Sequence, residues 1–237
     1  MTFFETAHTV HACKERCEDR VEILRDCDRT LIVVADGAGG TGSGHLAAEA
    51  VIREVQAAYS TVDSSTGWAD FLSQLDFRIS TGETTAVIVD LRPDRILGAS
   101  VGDSRAQVIE GSEIVDLTRT QNRKPLLGSH AAKPTPFWHQ ELNGILVVGS
   151  DGFFDYAKTE QLTPMISRTE FFAIPRFHQS QLFRVRRTIP GLMRNKSNRP
   201  ESGRLSNVIS GITCIWDVSL GNIPLVVNRV LRSPLRS

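Results

Sequence analysis

The sequence predicts an α+β fold in which helices flank antiparallel β-sheet. Residues 84–91, 95–101 and 105–109 are three apolar segments joined by short turns, which leave no room for a crossover helix. Residues 31–35 form another apolar segment, followed by a glycine-rich loop and a helical pattern. These observations favour antiparallel hairpins packed against helices, and they argue against a purely parallel sheet.

The first strand and helix are separated by the glycine-rich loop. The run Leu-Ile-Val-Val-Ala at residues 31–35 is typical of a buried strand, and Asp36-Gly37 stops it. Ser43 is a candidate cap for a helix over about residues 45–59. The predicted buried face of this helix consists of Leu46, Ala50, Val51, Val55 and Ala58.

Turn signals define the later strands. Arg92-Pro93-Asp94 and Gly102-Asp103-Ser104 separate the three strands between residues 84 and 109. Another strand, residues 145–148, precedes a helix that is predicted to begin near residue 153. Residues 208–216 and 223–227 recover strand character after a long stretch of weak periodicity.

Composition fits one globular domain over residues 1–237. Apolar residues make up 41% of the chain and charged residues 23%, which excludes a disordered tail protein or a disulfide mini-scaffold. Lys plus Arg equals Asp plus Glu at 27 each, so the net charge gives no reason to expect a nucleic-acid partner. Residues 1–167 nevertheless carry 24 acidic and only 15 basic side chains, so we expect cations to collect there.

Cysteine use and apolar run lengths predict a cytoplasmic protein. Cys13, Cys17, Cys27 and Cys214 are too few and too unevenly spaced for a disulfide framework. No apolar stretch approaches the roughly 18 to 20 residues that span a bilayer, and the N-terminal residues lack the pattern of a secretory signal. We therefore expect no membrane partner. We also expect a monomer.

Aspartates recur where apolar strands stop, at Asp36, Asp103 and Asp151. Any one of them is explained most simply as part of a turn, because Asp beside Gly is a common turn pair. Strand ends at one edge of a sheet can bring distant residues together, however, and clustered carboxylates need a cation to neutralise them. The three together predict a divalent site, since oxygen ligands suit Mg²⁺ or Mn²⁺.

Five motifs follow one another along the first two-thirds of the chain. They are Cys17-Glu18-Asp19, Val34-Ala35-Asp36-Gly37-Ala38-Gly39-Gly40, Thr81-Gly82-Glu83-Thr84-Thr85-Ala86, Val101-Gly102-Asp103-Ser104-Arg105-Ala106 and Gly149-Ser150-Asp151-Gly152-Phe153-Phe154-Asp155. In order and spacing they resemble the motif series of the metal-dependent serine/threonine protein phosphatases, the PPM or type 2C family. The match runs from about residue 12 to residue 156.

The resemblance implies a four-layer αββα sandwich of two antiparallel sheets flanked by helices. It also implies two Mn²⁺ or Mg²⁺ ions and a weaker third one. Asp36 would bridge the two ions, the Gly37 carbonyl would bind one of them, and Asp151 would bind the other. Asp103 would share the weaker ion with Asp151.

The implied reaction is hydrolysis of phosphoserine and phosphothreonine in a phosphoprotein substrate. Glu18 and Asp19 would act mainly through metal-bound water. The catalytic carboxylates would be Asp36, Asp151 and Glu18, around a metal-bridging water that attacks phosphorus in line. No covalent phosphoenzyme is required.

The phosphate-binding position departs from the family pattern. Lys14 stands where members usually have an arginine that grips the substrate phosphate. Lysine keeps the charge but loses the bidentate fork, so Lys14 and Arg16 are the candidate phosphate-binding residues, with Arg20 as a further substitute. Ala38 stands where some members carry a histidine, so another group or metal-bound water would protonate the leaving group.

The C-terminal part, residues 168–237, departs further and includes a basic stretch at 168–204. Members of the family close with Asp-Asn or Asp-Asp before a strand, whereas the nearest matches here are Ser206-Asn207 and Gly221-Asn222. Asp217 would compensate only if the register slips. Because anionic ligand count sets affinity for hard cations, the sequence predicts impaired catalysis.

Other interpretations stay open. Residues 37–42 also satisfy G-x-G-x-x-G between a strand and a helix, which makes a dinucleotide-binding oxidoreductase a rival. His8, His11, Cys13 and Cys17 suggest zinc, although their spacing matches no zinc finger. A third alternative is a catalytically impaired, phosphatase-like module that binds phosphoproteins.

Two further predictions concern packing. Residues 117–141 lie between two motif strands and are predicted to form a mobile flap that selects substrates. Cys27, Trp68, Phe71 and Leu75 are predicted to lie in the core.

Overall fold

Two five-stranded antiparallel sheets dominate the computed structural model, which describes residues 3–11, 17–156 and 223–231. The strands are β1 (Phe3–His11), β2 (Arg20–Arg25), β3 (Thr30–Ala35), β4 (Ala86–Arg92), β5 (Arg95–Val101), β6 (Arg105–Glu110), β7 (Glu113–Asp116), β8 (Thr135–Gln140), β9 (Ile145–Gly149) and β10 (Ile223–Leu231). The helices are α1 (Gly44–Ala58), α2 (Ser65–Asp76) and α3 (Asp151–Tyr156), and a 3₁₀ turn covers Gly39–Thr41.

The sheets have the orders β2-β3-β4-β5-β8, here called the β3 sheet, and β1-β10-β9-β6-β7, here called the β9 sheet. Strand β3 is buried on both faces, which explains its unbroken apolar run. Ile32 and Val34 pack between the two sheets. Leu31, Val33 and Ala35 pack instead against helices α1 and α2. The predicted α+β sandwich of two antiparallel sheets with helices is confirmed.

One of the two predicted hairpins is wrong. The β4–β5 hairpin is confirmed, with Arg92 opposite Arg95. Strands β5 and β6 do not pair, because β5 lies between β4 and β8 while β6 lies between β9 and β7. Gly102-Asp103-Ser104 therefore carries the chain from one sheet to the other, and we call these residues the crossing loop.

Helix α1 is confirmed, but the prediction of its buried face is wrong in part. The side chain of Leu46 is 46% exposed, whereas the small residues Ala47 and Ala48 are fully buried. Small side chains let the helix approach the β3 sheet closely, so they take the inner face. Ser43 is the N-cap residue, but its side chain makes no capping hydrogen bond. Its carbonyl oxygen accepts from the Leu46 N–H at 3.0 Å instead.

The prediction of a flap at residues 117–141 is wrong for residues 135–140, which form strand β8 and pair with β5. Leu117, Leu126 and Leu127 are buried, so the earlier part of the segment also packs against the fold. Its mobility and its role in substrate selection stay predictions. Cys27 is also misplaced by the core prediction, because it lies exposed in the turn between β2 and β3, whereas Trp68, Leu75 and partly buried Phe71 do pack in the core.

Strand β10 confirms the strand character of residues 223–227. The predicted strand at 208–216 and the basic stretch at 168–204 lie outside the described residues, so one domain over residues 1–237 stays a prediction. Antiparallel pairing contradicts the dinucleotide-binding alternative, which requires a parallel sheet. In the part of the chain that is described, no helix has the length and apolar character needed to cross a membrane.

Candidate functional site

Antiparallel register brings several chain segments to one end of the β3 sheet. Arg20 at the start of β2 lies opposite Ala35 at the end of β3, so the neighbouring residues Asp19 and Asp36 are adjacent. On the other side, β3 pairs with β4 and β4 pairs with β5, so Thr85 lies next to Asp36 in the same row. The ends of β3 and β5 and the starts of β2 and β4 therefore meet.

The crossing loop joins this row to the β9 sheet. It leads into Arg105, which lies opposite Gly149 at the end of β9, and Asp151 follows two residues later. Gly102 has φ +103°, a conformation that favours glycine, and a Cβ there would lie 2.6 Å from Thr85 Cγ2. Asp103 and Asp151 thus reach the same end of the sandwich from different sheets.

Hydroxyl groups fix the backbone around Asp36. Its carbonyl oxygen accepts hydrogen bonds from Thr84 Oγ1 and from the Thr85 N–H, both at 2.9 Å. Its own N–H donates to Thr85 Oγ1 at 3.1 Å. Thr85 Oγ1 also lies 2.7 Å from Ser104 Oγ, so one buried hydroxyl connects the end of β3 to the crossing loop.

Gly37 is held by close contact with other backbone atoms. A Cβ at Gly37 would lie 2.4 Å from the carbonyl carbon of Gly44 and 2.8 Å from the carbonyl oxygen of Glu18. The Gly37 N–H donates to that Glu18 oxygen at 3.3 Å. No larger residue fits here without moving the first turn of α1.

Mutual repulsion marks the acids as one cluster, which we call the acid cluster: Asp19, Asp36, Asp103 and Asp151. Burial, the charge of Asp19, a hydrogen bond with Asp19 and the charges of the other two acids raise the pKa of Asp36 to about 9. Burial raises the pKa of Asp19, and the charges of Asp151 and Glu18 act in the same direction. Burial and the charge of Asp151 raise the pKa of Asp103.

Asp19 has no hydrogen-bond donor among the described residues. Its side chain is buried, and no N–H or O–H group there donates to either carboxylate oxygen. The carboxyl group of Asp36 lies next to it, and the charge of Asp19 raises the pKa of Asp36. Buried carboxylates without donors are costly, so a proton or a cation must neutralise this pair.

The donor set of the cluster suits a hard divalent cation. Carboxylate and backbone carbonyl oxygens are ligands of Mg²⁺ and Mn²⁺, and Mg²⁺ is often held by one or two carboxylates together with water and substrate phosphate. Across residues 3–11, 17–156 and 223–231, no three His, Cys, Asp or Glu side chains are arranged to hold an ion by themselves. The residues therefore fit an ion bound partly through water. The zinc alternative includes Cys13, which lies outside the described residues.

The structure brings together most of the site residues predicted from the sequence. Glu18 lies beside Asp19, and its charge raises the pKa of Asp19. The backbone carbonyl of Glu18 accepts a hydrogen bond from the Gly37 N–H. Lys14 and Arg16, the predicted phosphate-binding residues, lie outside the described residues. Arg20 is already engaged, because its guanidinium donates to the carbonyl oxygens of Cys17 and Asp19 and forms an ion pair with Glu49.

Sequence reasoning missed the hydroxyl network. Thr84 and Thr85 belong to a motif that was recognised, but nothing in the sequence showed that they bind the backbone of Asp36. The signal that could have found them is the pair of hydroxyl residues directly before the apolar run at residues 86–89, because a hydroxyl that is buried there needs a hydrogen-bond partner. Ser104 was read only as a turn residue.

The fold is similar to solved structures of bacterial serine/threonine phosphatases. Serine/threonine phosphatase Stp1 from Staphylococcus aureus matches with a TM-score of 0.60 at 20% identity, over 72% of this chain and 86% of that one. The catalytic domain of serine threonine protein phosphatase PstP, in complex with 2 manganese ions, matches with a TM-score of 0.65 at 15% identity, over 98% and 100%. The S. agalactiae serine/threonine phosphatase matches with a TM-score of 0.64 at 15% identity, over 96% and 99%.

These similarities confirm, at the level of fold, the resemblance that the motifs indicated. The chain has the PPM-type phosphatase fold. No protein-family model matches the sequence, and no curated protein matches it. A shared fold does not fix the reaction of a protein, which depends on the residues of its site, here the acid cluster.

Proposed function

We propose that this protein is a metal-dependent serine/threonine protein phosphatase. The observation that carries the proposal is the acid cluster, in which two sheets bring four carboxylates together and, among the described residues, no donor reaches the buried oxygens of Asp19. The fold shared with bacterial serine/threonine phosphatases supports it, as does the manganese bound by one of them. The substrate class would be phosphoproteins, and a cytoplasmic monomer remains our expectation.

Asp36, the carbonyl of Gly37, Asp151, Asp103 and Asp19 would hold two Mn²⁺ or Mg²⁺ ions, with a weaker third ion at Asp103 and Asp151. When bound, the ions would supply the positive charge that makes water reactive near neutral pH and that stabilises charge on the phosphoryl group. The backbone that carries these ligands must be held in place. Thr85 does so at Asp36, because its hydroxyl accepts from the Asp36 N–H and also contacts the Ser104 hydroxyl of the crossing loop.

The reaction would cleave a phosphate monoester with water. Water attacks phosphorus in line with the serine or threonine oxygen, and the bond from phosphorus to that oxygen breaks. The leaving oxygen takes a proton from water or from another group of the site, and orthophosphate and the alcohol leave. Asp36, Asp151 and Glu18 are the proposed catalytic carboxylates that orient the water and accept its proton. Lys14 and Arg16 are the proposed phosphate-binding residues, and their positive charge would offset repulsion of the phosphate by the acids.

Hydrolysis of an aryl phosphate and of a phosphoserine peptide, with Mn²⁺ and with EDTA, tests the proposal. We expect turnover only with metal, and a loss of about 100-fold in Asp36→Asn and Asp151→Asn. Asp94→Asn is the matched control, because Asp94 is an exposed carboxylate in the β4–β5 turn, at the opposite end of the β3 sheet. Calorimetric titration with Mn²⁺ should show binding to wild type and not to Asp36→Asn. Equal binding by both proteins would contradict the role of Asp36.

One observation favours a second candidate, a catalytically impaired module that binds phosphoproteins. Leu225 of β10 lies opposite Gly149, so the end at which the chain enters β10 lies beside the end of β9 that leads to Asp151. In the sequence, Gly221 and Asn222 directly precede β10, and neither is a carboxylate. Metal binding and phosphopeptide binding without hydrolysis of either substrate would establish this second function.

A further inference from the structure

Among the side chains that the structure describes, cations without acidic partners are concentrated in one segment. Ion pairs engage Arg20, Arg29, Arg53, Arg78, Arg92, Arg95 and Arg105. The other described cationic side chains form none among these residues, and they are Arg25, Arg119, Arg123, Lys124 and Lys133. All of these except Arg25 fall in residues 117–140, a stretch that contains no Asp or Glu.

Backbone and side-chain hydrogen bonds attach part of this segment to the crossing loop, and we call this contact the clamp. The Gly102 N–H donates to the Asn122 carbonyl at 2.8 Å, and Gln121 Nε2 donates to the Ser104 carbonyl at 2.7 Å. Asn122 Nδ2 in turn donates to the Lys133 carbonyl at 3.1 Å. Two distant parts of the segment are therefore held together directly beside Asp103.

Three exposed cations surround this clamp: Arg123, Lys124 and Lys133, which we call the basic rim. Arg123 directly follows Asn122, whose carbonyl oxygen accepts from the Gly102 N–H, so Arg123 lies in the part of the segment that contacts the crossing loop. Two other arginines near the acid cluster are engaged, Arg20 with Glu49 and Arg105 with Asp155. Among the described side chains, the basic rim thus supplies positive charge that no ion pair uses.

We propose that the basic rim is a docking surface for acidic residues that flank the phosphorylated residue of a protein substrate. The inference rests on the proposed function of the acid cluster and adds a substrate class to it. Charge complementarity identifies the occupant: with a phosphate at the acid cluster, neighbouring residues of an extended peptide would lie near the crossing loop, where the basic rim offers exposed cations that form no ion pair among the described residues. Exposed charges of this kind set specificity and association more than total affinity.

Binding of phosphonate peptides to the full-length protein tests the docking surface without depending on turnover. Three fluorescent peptides would carry a non-hydrolysable phosphonate in place of phosphoserine, flanked by Glu, Gln or Lys. With Mn²⁺ at low salt, we expect wild type to bind the Glu-flanked peptide about tenfold more tightly than the Lys-flanked peptide. The preference should shrink at high salt, because exposed charges are screened.

Charge-removing variants locate the surface. Arg123→Gln and Lys133→Gln should each reduce the ratio of the two affinities about threefold, the size expected for an exposed charge pair. Arg25→Gln is the matched control, because Arg25 is an exposed, unpaired cation at the end of β2 far from Asp19, and it should leave the ratio unchanged. Unchanged melting temperatures would show that all three variants fold.

Three outcomes would overturn the docking surface: equal binding of the three peptides, an equal effect of the Arg25→Gln control, or tighter binding of a single-stranded oligonucleotide that is lost in the same variants. Hydrolysis of an aryl phosphate separates this result from the proposed function. Turnover of the aryl phosphate without a preference among the peptides would contradict only the proposed docking surface. A preference for the Glu-flanked peptide without turnover would contradict the proposed phosphatase activity but not the docking surface.

Discussion

The charge of Asp19 raises the pKa of Asp36, because the adjacent ends of β2 and β3 bring the two carboxyl groups together. Two buried carboxylates repel each other unless one holds a proton, and among the described residues no donor reaches the oxygens of Asp19. The pair is therefore a place where a proton and a divalent cation compete. That competition has consequences for stability that can be measured without any substrate.

In metal-free protein, stability is expected to fall as pH rises from about 4 to about 9. Asp36 has a folded-state pKa of about 9 against an ordinary value of 3.8, so in this window the folded protein holds a proton that the unfolded chain releases. Protons bound more tightly by the folded state stabilise it at low pH, and that contribution is lost on the way to the folded pKa. Thermal unfolding in EDTA at several pH values measures the effect.

Asp36→Asn and Mn²⁺ provide the controls for this pH dependence. The variant removes the titrating carboxyl, so its melting temperature should depend less on pH than that of wild type. Mn²⁺ should stabilise wild type more at pH 8 than at pH 5, because it competes with the proton. A wild-type melting temperature that rises with pH in EDTA would contradict the raised pKa.

Thr85→Val is expected to lower both stability and activity. Valine has nearly the same shape, but it leaves the Asp36 N–H and the Ser104 hydroxyl without their partner at a fully packed position. We expect a loss of about 2 kcal/mol in the free energy of unfolding, as for an unsatisfied buried polar group. Thr61→Val is the control, because the Thr61 hydroxyl makes an exposed hydrogen bond to Ala58. Urea unfolding that gave equal losses would show that the network does not position Asp36.

Asp76 at the end of α2 is expected to stabilise the segment at residues 128–132. Its fully buried carboxylate accepts backbone hydrogen bonds from Gly128, His130 and Ala132 at 2.7, 3.1 and 2.9 Å. Asp76→Ala leaves these donors without an acceptor and should cost about 3 kcal/mol, whereas Asp76→Asn keeps one acceptor oxygen and should cost less. Urea unfolding in EDTA checks the order.

The control for Asp76 is Asp70→Ala, which removes an exposed carboxylate from the same helix and should change stability by less than about 0.5 kcal/mol. Leu127, next to Gly128, exchanges backbone hydrogen bonds with Thr84, which in turn binds the Asp36 carbonyl. Asp76→Ala is therefore also expected to weaken Mn²⁺ binding. Unaltered Mn²⁺ affinity would limit Asp76 to a role in stability.

Gly221→Asp is expected to raise Mn²⁺ affinity about tenfold, because an added carboxylate increases the anionic ligand count of a hard cation. The position directly precedes β10, whose register leads the chain toward the end of β9. Ser112→Asp adds the same charge in the exposed β6–β7 turn and should have no effect on affinity. Calorimetric titration measures the Mn²⁺ affinity of both variants. Equal affinities would contradict the prediction of an impaired metal site.

The sequence predicted those elements in which local pattern and tertiary environment agree. Strand β3 and helix α1 were recognised because an unbroken apolar run, an Asp-Gly stop and a helical period occur in succession. Strand β8 was not, because Pro134 and Pro136 are typical of a loop. It forms because an edge strand tolerates a residue without an N–H and takes its register from β5.

The carboxylates of the site were predicted more completely than the hydroxyl residues that hold them in place. An aspartate directly after an apolar run is visible in the sequence, whereas the role of Thr85 depends on which strand ends become neighbours. The error at the crossing loop has the same origin, since a glycine turn between two apolar strands looks alike whether the strands pair or separate into two sheets. Local sequence does not encode that choice, which depends on packing between the sheets.

The crossing loop joins the two sheets at the point where their acids repel. The two sheets are thus covalently connected at the end where their carboxylates repel each other, and cations bound there would hold the two sheets together. Cation binding should therefore slow amide hydrogen exchange at the start of β6 far more than at the β4–β5 turn. Hydrogen exchange would then report ion occupancy in the absence of any phosphate.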